Sequence, residues 1–151
     1  MKSAYLSGKR FFVFLYHIQI VEKKDKDYSA IQQIYNEVRN EMPFLLEISD
    51  FKDALNGEVI YEAIADGETI AFISLWEPDN FIHYLFVSPL YQNKAIGLQL
   101  ITYLSELYGK PLGLKCLLEN TNAVRFYKKN GFHEKYRGTS AEGEYIYFEL
   151  Q

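Results

Sequence analysis

Three groups of residues have types and spacings that could do chemistry. The stretch YQNKAIG (Tyr91–Gly97) joins an apolar run, FIHYLFV, to a segment with helical spacing, LQLITYLSELY. A helix start exposes backbone N–H groups with no intrahelical partner, and the helix dipole adds positive potential there, so a phosphate can be held. Lys94 adds a point charge at that place, and Gly97 would let an anion approach the backbone. A surface turn could use the same residues, and the loop alone does not decide between the two. The second group is Asn120, Ala123, Phe126 and Tyr127, followed by Gly131-Phe132. Asn120 or Thr121 can cap a short helix that Gly131 ends in the left-handed conformation. The third is His83 with Cys116. A histidine suits proton transfer near neutral pH, whereas a buried cysteine is expected to be inert.

The elements that must position these groups follow from periodicity. Phe11–Val21 reads as a first strand after a loose leader, Met1–Arg10. Asp27 can cap a helix whose apolar positions, Tyr28, Ile31, Ile34, Tyr35, Val38 and Met42, recur at three- and four-residue spacing and which Pro43 ends. Ser49 can cap a second, short helix through Leu55. EVIYEAIADGETIAFISLW is a hairpin about Asp66-Gly67, a pair suited to the positive φ values of a tight turn. FIHYLFV (Phe81–Val87) is apolar at nearly every position, as a central strand covered on both faces would be. A helix over Ile96–Tyr108 presents Leu100, Ile101, Leu104, Leu107 and Tyr108 as one stripe, and Gly109 stops it. PLGLKCLL, the Asn120 helix, FHEKYR and EYIYFEL complete one mixed α/β domain over residues 1–151.

A chain of 151 residues can bury a sizeable single core. Its net charge of −4 argues against nucleic acid or an anionic membrane surface as main partner. Cys116 is the single cysteine, so no intramolecular disulfide forms and a reducing compartment, the cytoplasm, is expected. No Cys/His cluster has metal-ligand spacing, and no stretch reaches the roughly 18 apolar residues of a membrane span.

Phe81–Phe132 resembles the acetyl-CoA-binding half of the GNAT superfamily of N-acetyltransferases. That family's loop reads Gln/Arg-x-x-Gly-x-Gly/Ala, and Gln92-Asn93-Lys94-Ala95-Ile96-Gly97 fills it with one departure, Ala95. Val87-Ser88-Pro89 just upstream is also typical. The second signature, Asn-x-x-Ala-x-x-Phe/Leu-Tyr followed by Gly-Phe, is met by Asn120, Ala123, Phe126, Tyr127, Gly131 and Phe132. The first half of the chain fits by pattern only. The Gly-x-Gly-x-x-Gly of dinucleotide-binding folds is absent.

The resemblance implies a single-domain α/β fold: a mixed antiparallel and parallel sheet with flanking helices and splayed central strands. It implies acetyl-CoA (coenzyme A) as cosubstrate, without metal, and direct acetyl transfer to a primary amine of a small molecule or peptide in a ternary complex. Leu85, Phe86 and Val87 would pair with the pantetheine arm, and Gln92, Asn93, Lys94, Ala95, Ile96, Gly97 and Leu98 would hold the pyrophosphate. Asn120 would hydrogen-bond the arm or the loop, and Tyr127 would reach the thioester sulfur. If Ala95 needs a positive φ, the cost is about 1 kcal/mol. The position where the family commonly carries its base is Phe81, which cannot serve. His83, two residues on and on the same strand face, takes that role, with Glu119 and Glu77 as further candidates by neighbourhood. The alternative is a non-catalytic acyl-CoA-binding or protein-interaction domain, favoured by Ala95 and Phe81 and opposed by Tyr127. No motif identifies the acceptor; Trp76, Tyr84 and Tyr145 line its site or belong to the core. A homodimer is compatible with all of this.

Overall fold

The structure, a computed structural model, describes residues 17–151, together with the backbone of two short strands, β1 (Ala4–Leu6) and β2 (Lys9–Phe11), which pair antiparallel. The expected strand Phe11–Val21 is not one element. Phe11 ends β2, residues 12–16 lie outside the described ones, and the main sheet begins with β3 (Gln19–Glu22). Of the expected leader, only the backbone of those two short strands is described.

Helix α1 (Ser29–Glu41) buries Ile31, Ile34, Tyr35 and Val38, the face its spacing predicts. Asp27 sits one residue ahead of the cap position, yet its Oδ1 still accepts from the Ser29 N–H at 3.1 Å. The short α2 (Phe51–Ala54) is capped by Asp50 rather than Ser49: the Asp50 carboxylate accepts from the Lys52 N–H at 2.9 Å. The hairpin of β4 (Val59–Ala65) and β5 (Glu68–Trp76) turns through Asp66 and Gly67, with φ of 50° and 78°. Such a turn follows the twist of the strands it joins.

The remaining elements are β6 (Phe81–Val87), α3 (Ile96–Tyr108), β7 (Leu112–Leu117), α4 (Thr121–Lys129), β8 (Phe132–Ser140) and β9 (Gly143–Leu150). One seven-stranded sheet runs in the order β3-β4-β5-β6-β7-β9-β8. Its neighbours are antiparallel except β6 and β7, which are parallel and joined across α3. Two cores form on opposite faces. Phe51, Phe72 and the buried side of α1 make one; Leu100, Ile101 and Leu104 of α3 pack with Ile73, Leu75 and Leu114 in the other. The strand covered on both faces is therefore β5. In β6 only Ile82 is buried, because the rest of that apolar run lines an open cleft. Leu107 is also off the predicted stripe, at 53% exposure.

Beyond β6 the far face of the sheet carries stacked rings. Tyr147 lies parallel to Tyr136, with centroids 4.8 Å apart, and to Phe81 at 6.3 Å. The Tyr147 ring covers Gly113, where an added Cβ would come within 2.8 Å of its Cζ. Gly113→Ala should therefore cost about 1–3 kcal/mol through overpacking, read from urea unfolding. Adding Tyr147→Ala should recover part of that loss in a double-mutant cycle; strictly additive costs would show that the ring does not press on this position.

Candidate active site

Strands β6 and β7 pair at only two positions, Phe81 with Gly113 and Ile82 with Leu114. Beyond these β7 continues along β9, Leu114 opposite Phe148 and Leu117 opposite Tyr145, while β6 stays with β5 as far as Val87. The strands part, and between them opens a cleft of about 1320 Å³. In an antiparallel ladder alternate residues direct their N–H and C=O groups to opposite sides. The outer side of Leu85–Val87 has no neighbouring strand to receive them.

At the far end of β6 the chain turns through Pro89–Tyr91 into α3. Asn93 and Ala95 both adopt left-handed φ of 61°. Ala95 holds the cap position with no side-chain cap. Gln99 is the first residue to donate back to the cap, to the Ala95 carbonyl at 3.0 Å. The N–H groups of Ile96, Gly97 and Leu98 have no acceptor among the described residues, and all three residues line the cleft. Gly97 is not required by packing. A Cβ there would meet Phe126 and Val87 at 3.7 and 3.8 Å, ordinary contacts, although glycine inside a helix costs up to about 1 kcal/mol. Space for a ligand against the backbone explains it better.

Gln92 and Asn93 also line the cleft, whereas Lys94 does not. The Gln92 side chain donates from Nε2 to the Val87 carbonyl at 3.1 Å. It thus fastens the loop to the end of β6, a structural part alongside any contact with a ligand. Asn120 accepts at Oδ1 from the Ala123 N–H at 3.2 Å, capping α4, and its Nδ2 stays unpaired at the cleft wall. Tyr127 packs its ring on Phe126, Phe132 and Phe148. No described residue pairs with its hydroxyl. Burial, then the nearby Cys116 thiol, push its ionisation upward, so the phenol keeps its proton. Burial likewise raises the Cys116 thiol to about 12, and a buried thiol that keeps its proton is a poor nucleophile.

His83 lines the cleft, as do Phe81, Tyr84 and Tyr145. Trp76 does not; it packs at Gly57, outside the cleft. Glu77 and Glu119 are also away from the lining. His83 Nδ1 lies 2.8 Å from Oε2 of Glu58, a residue that sequence reasoning missed. The two lie 25 positions apart, and nothing in the sequence between them signals the contact.

A helix start with N–H groups that lack described acceptors thus stands at one end of a gap between strands, and the acetyltransferase (GNAT) family model matches residues 23–132. The chain belongs to the GNAT family. No curated protein matches it. Among solved structures, YjaB of Escherichia coli in its apo form is similar at 18% identity, with 88% of this chain and 97% of that one covered and a TM-score of 0.70. An acetyltransferase of the GNAT family from Staphylococcus aureus Mu50 is similar at 23% identity, 89% and 99% coverage and a TM-score of 0.66. So is yncA of Salmonella typhimurium, solved with its cofactor acetyl-CoA, at 17% identity, 89% and 93% coverage and a TM-score of 0.68. At such identities these likenesses show the GNAT fold.

Two predictions follow from the loop. Gly97→Glu should leave the fold intact and abolish coenzyme A binding, because it places an anion where the helix start would hold one; calorimetry showing undiminished affinity in the folded variant would overturn the cradle. Ala95→Gly relieves about 1 kcal/mol of left-handed strain and frees a comparable amount of unfolded-chain entropy. Its stability should therefore change by less than about 0.5 kcal/mol while coenzyme A affinity is kept or improved. A clear loss of affinity would mean that the Ala95 methyl contacts the ligand.

Proposed function

We propose that the protein is an acetyl-CoA-dependent N-acetyltransferase acting on a primary amine of a small molecule or peptide, by direct attack in a ternary complex. The observation that carries this reading is the unpaired N–H run at Ile96–Leu98 at one end of a strand gap whose wall also holds the unpartnered Tyr127 hydroxyl. The acetyl-CoA bound in yncA supports the choice of donor. Acetyl-CoA supplies an acyl carbon activated as a thioester, on a long arm ending in a pyrophosphate.

In this reading the first turn of α3 holds the pyrophosphate with backbone N–H groups. The unpaired side of Leu85–Val87 takes the amides of the arm as an added strand would be taken, and Asn120 donates from Nδ2 across the gap. An alkyl amine is mostly protonated near pH 7; the ammonium has no lone pair and gives one proton to water before attack, and a base must take the second as the C–N bond forms. His83 is the cleft residue suited to it. As the amine nitrogen bonds to the acyl carbon and the C–S bond breaks, negative charge passes to sulfur. Tyr127 meets it with a hydrogen bond. A thiol ionises near 8.5 and a phenol near 10, and burial moves Tyr127 further up. The proton therefore stays on the phenol, and Tyr127 stabilises the thiolate as a donor rather than by full transfer. Among the described residues no helix is long and apolar enough to cross a membrane. With its lone buried Cys116, a reducing cytoplasm is the setting we infer.

The test is release of free thiol from acetyl-CoA across a panel of amines and peptides. At least one acceptor should stimulate it, and binding of coenzyme A without any stimulation would instead favour a non-catalytic acyl-CoA-binding domain. Tyr127→Phe keeps the ring packing and should lower kcat by about 10²-fold at unchanged coenzyme A affinity. Full turnover in that variant would return Tyr127 to a packing role.

A further inference from the structure

A bulge sets the direction of His83. Ser74 pairs with Tyr84 and Leu75 with Ile82, so His83 is the extra residue on β6, opposite nothing on β5. Bulges re-aim side chains and recur beside active sites. Here the imidazole and the next ring, Tyr84, stack on one side with centroids 4.2 Å apart, where regular strand neighbours would point to opposite faces. The Tyr84 N–H, displaced from the ladder, donates to the buried Ser74 hydroxyl at 3.0 Å, which holds the distortion in place.

The bulged imidazole meets a buried carboxylate. Glu58 follows Gly57, whose φ of 84° turns the chain from α2 into β4. The Glu58 side chain is 4% exposed and that of His83 is 45% exposed. Oε2 of Glu58 lies 2.8 Å from Nδ1 of His83, and Oε1 is buried with no partner among the described residues. A carboxylate buried for structure alone is normally saturated with donors. This one spends its single contact on the histidine.

Resting on the proposed role of His83, we propose that Glu58 is the positioning residue for this base: it accepts the Nδ1–H and so leaves the Nε2 lone pair to take the acceptor's proton. A carboxylate only accepts, so the proton of the neutral ring lies on Nδ1. During transfer one proton passes from the amine nitrogen to Nε2, and the resulting imidazolium is stabilised by the adjacent carboxylate. No proton moves to Glu58. The other ionisable groups lining the cleft are Tyr35 of α1, Glu47, Tyr84 of β6, Tyr91, Lys115 and Cys116 of β7, Tyr127 and Lys129 of α4, and Glu142 and Tyr145 of the β8–β9 hairpin.

The test uses the full chain, with His83→Gln to assign the signals. Long-range nitrogen NMR of the free protein should show His83 as the Nδ1–H tautomer, and Glu58→Gln should disturb that pattern while His17 and His133 keep theirs. With an acceptor in hand, Glu58→Gln should lower kcat about tenfold, with coenzyme A affinity unchanged. An Nε2–H tautomer in the wild type overturns the proposal even if the variant fails to fold, and so does an undiminished kcat in folded Glu58→Gln. If His83→Gln retains full turnover while the wild-type Nδ1–H tautomer is present, His83 is not the base and the proposed role of Glu58 fails with it, while acetyl transfer itself stands.

Discussion

Backbone N–H and C=O groups taken from water must find partners, and this requirement governs the middle of the sheet. Once β7, paired with β9 along its whole length, parts from β6 after Leu114, the outer side of β6 has no strand to pair with among the described residues. A strand left open in a protein interior would be costly, and the fold meets the problem piece by piece. Gln92 donates back to the Val87 carbonyl at the strand end, and on the β5 side, where the bulge breaks the ladder, the Ser74 hydroxyl receives the Tyr84 N–H. What is left over faces a cleft, where an extended ligand of the kind the proposed function calls for would find the unmet hydrogen bonds.

The aromatic richness of the chain is explained by the same geometry. On the α1 side Tyr35, Phe51, Phe72 and Phe86 pack edge to face or tilted at 5.0–5.9 Å. Large rings fill the angle that opens where strands diverge, which small aliphatic side chains would leave as voids. Farther along the same sheet face the Tyr147 and Tyr145 rings lie over Gly113 and Gly138 and shield the backbone there. Bulk at these positions keeps the splay open and dry on its flanks.

Local signals in the sequence were read well where local chemistry decides. The Asp66-Gly67 turn, the Asn120 cap and the left-handed Gly131 at 91° all depend on residues within a few positions of one another. The loop and helix signatures around Gly97 and Tyr127 located the cleft for the same reason. Errors came where tertiary packing intervenes. The apolar run Phe81–Val87 reads as doubly covered core, because a cleft wall and a core strand have the same hydrophobicity; only the parting of β7 separates them. Capping by Asp50 rather than Ser49 is a one-residue difference that two equally good cap residues cannot settle by type. Glu58 was invisible because its partner is set by the bulge, and a bulge has no composition.

The positive φ of Ala95 shows how the site divides its costs. Glycine would take that conformation freely, but its flexibility would also let the loop sample many forms before a ligand arrives. Alanine at φ 61° stores about 1 kcal/mol, and in return the Cβ restricts the unfolded loop. The strain persists because both sides of the loop are fixed: Gln92 ties it to β6, and Ile96, buried beside Leu100, anchors the first turn of α3 in the core. A cradle held from both ends presents its N–H groups in place before binding, so less ordering is left to oppose association. The departure from the family's usual glycine is therefore compatible with a working site, and its consequence is a stiffer loop rather than a lost one.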